Sequence, residues 1–196
     1  MNSYNLSLPL EIRLDEKSKY LRKMIVDALE SGKRAHLGSA MSILEIVRVL
    51  YDNFLNVNIE NINDINRDRF ILSKGHGCLA LYAVLADKGF IKAKDLLDFC
   101  KFDSILGGHP EKHKVPGVET STGALGHGLS IGAGYAIASK LNNINNKIVV
   151  LVGDGEIDEG SIWEASMSIK KHKLCNLTLL IDYNKIQSYG FVNEVL

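Results

Sequence analysis

A chain of 196 residues, 46% hydrophobic and 23% charged, has ample apolar material for the core of one soluble domain. Its 23 Lys and Arg cancel its 23 Asp and Glu, which speaks against a bulk nucleic-acid binder with its basic excess. Cys78, Cys100 and Cys175 lie far apart without CxxC spacing, the N-terminus is too polar for a signal peptide, and no apolar run reaches the roughly 20 residues of a membrane span, so a reduced, cytoplasmic protein is expected.

The first predicted element is LDEKSKYLRKMIVDALESGK, which opens with acids and places Leu21, Met24, Ile25, Ala28 and Leu29 on one face. That pattern is an amphipathic helix ending near Gly32. MSILEIVRVLYDNFL predicts a second helix with Ser42 as its cap, and the Asn/Ile-rich residues 56–66 read as a polar loop. DRFILSKGHGCLALYAVLADKGF predicts a short strand, a Gly-His turn and a helix, and KAKDLLDFCKF a short helix. Residues 106–128 are rich in Gly, Pro, His and Thr. Loops of that length inside a domain are usually functional or disordered.

GLSIGAGYAIASKL is a helix of small residues suited to close packing. In KIVVLVGDGE, residues 148–152 form a continuous apolar run, as in a strand buried on both faces. SIWEASMSIKKHKL then predicts a helix, and NLTLLIDYN a second buried strand. Strand, Gly-rich turn, helix and strand make a βαβ unit with a right-handed crossover. The expected fold class is α/β, a three-layer α/β/α domain on a mostly parallel sheet, covering residues 1–196.

Ligands on such sheets sit beyond the carboxyl ends of the strands. Asp154 ends one predicted strand and Asn184 the next, 30 positions on. A carboxylate oxygen, an amide oxygen and a backbone carbonyl beyond Asn184 are hard ligands suited to Mg²⁺, with positions left for phosphate and water. Gly153 and Gly155 let backbone N–H groups approach phosphates at a helix N-terminus. Alone, GDG reads first as a tight turn with Asp154 as a helix cap; Asn184 after a second apolar strand shifts the reading to the metal. Glu156 and Asp158 read as solvated charges at a helix start.

GDGEIDEGSIWEAS followed by KKHKLCNLTLLIDYNKIQSYGFV resembles the thiamine-diphosphate enzymes of the transketolase family, in the EG after GDG, the WEA on the helix and the KLxNL before the strand. The resemblance runs from about Leu14 to the C-terminus and extends to AHLGSAMS, DRFILSKGHG, GGHPE and TSTGALGHG. It implies thiamine diphosphate and Mg²⁺ as cofactors. Asp154, Asn184 and the carbonyl of Ile186 would hold the metal. His76, Gly155 and Asn184 would hold the diphosphate, and Gly123 and Leu125 would lie against the aminopyrimidine.

The same resemblance makes His36 and His109 catalytic groups near the sugar and Glu159, with Glu164, a link between the two active sites of a dimer. A neutral imidazole can relay protons from sugar hydroxyls, whereas His113 and His172, beside lysines, read as surface residues and His127 is given no role. Where the family reads SGHPG this chain has RAHLG, with Arg34 before the turn and Leu37 for proline. The family continues beyond FVNEVL, and its pyrimidine-binding domain is not found here. The implied activity is two-carbon ketol transfer from a ketose to an aldose, phosphates among them. The chain is expected to be inactive alone and to form a homodimer within a heterotetramer with a pyrimidine-binding subunit. The alternatives are another carbon–carbon lyase or transferase on the same cofactor, and a non-catalytic partner subunit.

Overall fold

The computed structural model describes residues 13–195, so the N-terminal stretch that bears on a leader lies outside it. The chain runs α1 (Glu16–Gly32), α2 (Leu37–Val49), β1 (Arg69–Leu72), α3 (Cys78–Asp87), α4 (His127–Leu141), β2 (Ile148–Gly153), α5 (Gly160–His172), β3 (Leu177–Asp182), β4 (Ile186–Gln187), β5 (Gly190–Phe191) and α6 (Val192–Val195). Among the described residues, β1, β2 and β3 form one parallel sheet in that order, and β4 and β5 a small antiparallel pair.

The apolar run of β2 is explained by helices on both sheet faces. Val149 and Leu151 pack with Phe70 and Leu72 under α1, α2 and α3, while Ile148, Val150 and Val152 pack with Ile71 under α4 and α5. This is the expected three-layer α/β/α arrangement. The small residues of α4 have a specific use: a Cβ on Gly128 would stand 2.3 Å from Ser73 Oγ, and one on Gly132 2.5 Å from Val150 Cγ2. Helix α4 therefore lies closer to the sheet than any side chain would allow.

Helix α1 is capped by Asp15, whose carboxylate accepts the Ser18 N–H at 2.7 Å and binds Arg48 at 2.7 Å. It buries Leu21, Met24, Ile25 and Ala28 as expected and ends where Lys33 adopts a left-handed conformation. Four sequence expectations are corrected. Helix α2 starts at Leu37 rather than at Ser42, which lies inside it and turns its hydroxyl to Asp182. The short helix after Lys92 is a tight 3-10 segment, Ala93–Asp98. Among the described residues strand β3 lies at the sheet edge; Leu177 and Leu179 pack on one core and Leu180 on the other, but only partly buried, and Thr178 and Ile181 are exposed. Glu156 is 1% exposed and is no solvated charge.

Candidate functional site

The carboxyl ends of the three strands meet at one end of the domain. Strand β1 leads through Ser73 and Lys74 into a 3-10 turn, Gly75–Gly77, which holds His76. Strand β2 leads into a second 3-10 turn, Asp154–Glu156. Gly153 is in register with Asp182 at the end of β3, which sets Asp154 beside the segment that follows β3. There the Lys185 N–H donates to Asp154 Oδ2 at 2.8 Å, and the Gly155 N–H to Asp154 Oδ1 at 3.0 Å. The Asn184 amide oxygen accepts the Ile186 N–H at 2.9 Å, and the Gln187 side chain lies 3.5 Å from where a Cβ on Gly155 would stand.

The GDG turn is fixed from below by Glu156. Its Oε2 accepts the Gly153 N–H at 2.9 Å, and its Oε1 accepts the Gly126 N–H at 3.0 Å and the Ser73 hydroxyl at 2.5 Å. One buried carboxylate thus joins the ends of β1 and β2 to the start of α4. Gly126 there has φ 80°, and a Cβ would stand 2.6 Å from Ser161 Oγ, so glycine is required on both counts. A second buried carboxylate, Asp182, accepts Lys74 Nζ at 2.5 Å, the Ser42 hydroxyl at 2.8 Å and Asn184 Nδ2 at 3.2 Å. The sequence reading gave Lys74 and Asp182 no role and took Glu156 for a solvated charge and Ser42 for a helix cap; the position of Lys74 directly before GHG, at the end of an apolar strand, was the available signal.

His36, His76 and His109 converge from three separate segments. The His36 ring centroid lies 5.5 Å from that of His76 and 6.4 Å from that of His109. His76 is pushed down to about 4, first by burial and then by the charge of Lys74 and the neighbouring His36 and His109. Burial, with His36, also lowers His109. His76 is therefore neutral at pH 7, with one ring nitrogen free to donate and the other to accept.

The long loop between the 3-10 segment and α4 is tied down. Tyr82 donates its hydroxyl to the carbonyls of Gly107 and His109 at 3.1 Å each, and the Thr122 N–H donates to the Pro110 carbonyl at 3.1 Å. Gly123, at φ 140°, faces the His109 ring, and a Cβ there would stand 3.2 Å from it. Thr122 packs against Gly75, and its buried hydroxyl oxygen has no hydrogen-bond partner. Gly123 thus joins the histidine group, and Leu125 lies partly exposed nearby in sequence. Glu159, exposed at the N-cap of α5, packs its Cβ and Cγ against Gly126, whereas Glu164 is exposed on the outer face of α5.

A cavity of about 510 Å³ opens beside these rings, lined by Arg34, Ala35, His36, Phe99, Cys100, Gly108 and His109. Among the described residues no three His, Cys, Asp or Glu side chains gather to hold a metal. A cation at the GDG turn would instead take one carboxylate, from Asp154, with amide and carbonyl oxygens. That donor set of hard oxygens fits a divalent cation, and the unpartnered Thr122 hydroxyl against the Gly75 turn is a buried polar group that a ligand beyond the strand ends would satisfy. Among the described residues no helix is long and apolar enough to cross a membrane.

Comparison with known proteins gives the family and the fold. Residues 15–196 match the family model for the transketolase thiamine diphosphate binding domain. An apulose-4-phosphate transketolase subunit from Actinobacillus succinogenes is 44% identical, the match covering 100% of this chain and 70% of that protein. A 6-deoxy-6-sulfo-D-fructose transketolase subunit from a Clostridium species is 35% identical, over 94% of this chain and 67% of the relative. The solved transketolase of Leishmania mexicana superposes with a TM-score of 0.84 at 30% identity, over 94% of this chain and 30% of that structure.

Proposed function

The chain belongs to the transketolase family, as its thiamine-diphosphate-binding domain, and from that premise we propose that it is the diphosphate-binding subunit of a split enzyme. The reaction is transfer of a two-carbon ketol unit from a ketose to an aldose. The observation that carries this reading is the convergence of His36, His76 and His109 from three segments, with His76 in the turn that follows β1 at the carboxyl end of the sheet.

Asp154, Asn184 and the backbone carbonyl of Ile186 hold Mg²⁺, with Asp154 kept in place by the N–H groups of Gly155 and Lys185. His76, Gly155 and Asn184 face the diphosphate; a neutral His76 contributes an N–H donor rather than a charge. Gly123 and Leu125 lie against the aminopyrimidine ring. Thiamine diphosphate supplies, when bound, a nucleophilic carbon and an electron sink for the two-carbon unit. His36 and His109 orient the sugar and exchange protons with its hydroxyls; burial lowers His109 and keeps it available as a base.

The rest of the site comes from a pyrimidine-binding partner chain. Trp163 and Met167, 62% and 67% exposed, share the outer face of α5 with Glu164, next to Glu159, and this apolar surface supports a homodimer within a heterotetramer. Relatives named for apulose-4-phosphate and 6-deoxy-6-sulfo-D-fructose support a substrate that carries a phosphate or sulfo group. The same names make substrates other than those of general transketolases the second reading.

The test is reconstitution with the partner chain, thiamine diphosphate and Mg²⁺. Two-carbon transfer from a ketose phosphate is expected from the assembled enzyme and not from this chain alone. Asp154→Ala should abolish Mg²⁺-dependent cofactor binding while circular dichroism stays native. Unchanged cofactor affinity in that variant would remove the metal assignment, and transfer by the isolated chain would remove the split-enzyme reading.

A further inference from the structure

We propose that Arg34 is the specificity residue that recognises a tetrahedral oxyanion, phosphate or sulfonate, at the far end of the sugar substrate. This rests on the reading of His36 and His109 as the sugar-facing groups. The cavity of about 510 Å³ that begins at those two rings also has Arg34 in its wall, together with Ala35, Phe99, Cys100 and Gly108. No carboxylate lines it. A substrate whose hydroxyls meet His36 and His109 therefore finds, in the wall of the same open cavity, one permanent cation and no carboxylate.

Arg34 is also unlike the arginines that build the fold. Arg22 pairs with Glu45, Arg48 with Asp15, and Arg67 and Arg69 with Glu119. Among the described residues the Arg34 guanidinium has neither a carboxylate nor a hydrogen-bond acceptor. It also borders a second, wider cavity of about 630 Å³, lined in part by Lys101, Lys114, Asp103 and Glu111. There Lys114 pairs with Glu111 and Lys101 with Asp98 at the surface, so among the described basic groups of that wall Arg34 is the one without an ion pair, and Asp103 is the carboxylate without one. Its field already reaches the cavity wall: it counters the upward push of burial on the Cys100 thiol.

The backbone on either side of Arg34 is fixed, while its exposed side chain is held by no partner among the described residues and is free to meet a ligand. Lys33 closes α1 in a left-handed conformation with its N–H on the Leu29 carbonyl at 2.8 Å, and the Ala40 N–H on the His36 carbonyl at 3.1 Å begins α2. Arg34 lies on the short link between these two packed ends, two residues from His36. A guanidinium is charged at all working pH values, weakly hydrated, and donates through a planar fork that fits two oxygens of a phosphate or sulfonate.

The test uses the reconstituted enzyme with thiamine diphosphate and Mg²⁺. kcat/KM is measured for a ketose phosphate, a sulfo-ketose and a neutral ketose of equal length, with inorganic phosphate as a competitive inhibitor. In Arg34→Gln the preference for anionic over neutral ketose should fall about tenfold or more, mainly through KM, as expected for loss of a charge-assisted pair. Inhibition by phosphate should weaken by a similar factor, and Arg34→Lys should lie between. The ratio of phosphate to sulfonate substrate in wild type identifies which oxyanion the site prefers. An active Arg34→Gln enzyme with unchanged preference, or one that loses neutral and anionic ketoses equally, overturns the Arg34 assignment and leaves the proposed function standing. Absence of any two-carbon transfer by the wild-type assembly overturns both.

Discussion

Replacing Glu156 tests whether the end of the sheet that carries the candidate site is held together by one carboxylate. Its oxygens accept three hydrogen bonds, from the Gly153 and Gly126 N–H groups and the Ser73 hydroxyl, and all three donors are buried. In Glu156→Gln the better orientation of the amide keeps oxygen toward Ser73 and Gly126 and turns NH₂ toward the Gly153 N–H. One bond is lost and two donors face each other, at a cost of about 2–3 kcal/mol. Glu156→Ala leaves three buried donors unpaired and a void, at roughly 4–6 kcal/mol. For a domain of this size each kcal/mol lowers Tm by about 2–4 °C. The expected drops are therefore about 4–12 °C for the glutamine variant and clearly more for alanine, read by urea titration and thermal melting of the purified chain. A Glu156→Gln protein within about 0.5 kcal/mol of wild type would refute the reasoning, because the hydrogen bonds would then carry no net stability.

Two further outcomes follow from the buried groups around the strand ends. Lys74→Met should destabilise by about 3–5 kcal/mol in urea titration, since it leaves the Asp182 carboxylate, 7% exposed, without its cation; Lys74→Met/Asp182→Leu should recover much of that loss. His76 titrates near 6.5 in the unfolded chain and at about 4 in the folded one, so between those values the unfolded state binds more protons and stability falls as pH drops from 6.5 toward 4. His76→Asn lacks that contribution, and its denaturation midpoint should fall less than that of wild type between pH 7 and pH 5; equal losses would show that the imidazole is not held neutral.

Much of the fold was legible because the signals were local. The face of α1 that carries Leu21, Met24, Ile25 and Ala28, the run at residues 148–152 and the small residues of α4 each state their own packing. The burial of strand β3 was misread because an apolar run does not report its place in the sheet; among the described residues β3 lies at the edge, where Thr178 and Ile181 meet solvent. The three histidines were legible through Gly-rich turns and the family resemblance, and the folded chain brings their rings together. Glu156 was not, because an acid at a helix start looks the same whether it caps in water or is buried against another strand. Ser42, read as a cap, shows the same limit: its partner Asp182 lies 140 positions away, and nothing beside it in sequence announces that contact.

That separation also sets an order of events during synthesis. The Glu156 bond to Gly153 spans three residues and can close as soon as the turn emerges. Joining Ser42 to Asp182 closes a loop of 140 residues, with an entropy cost on the order of 3 kcal/mol beyond that of the short turn. Helix α2 is complete on a nascent chain long before its acceptor has been translated. Until β3 arrives, the Ser42 hydroxyl and the Lys74 ammonium have no carboxylate to meet, and the end of the sheet that carries His76 and Asp154 stays open. The site is thus assembled last, when almost the whole described chain has left the ribosome. Pausing or truncation before Leu177 would leave a chain with most of its core and none of this closure.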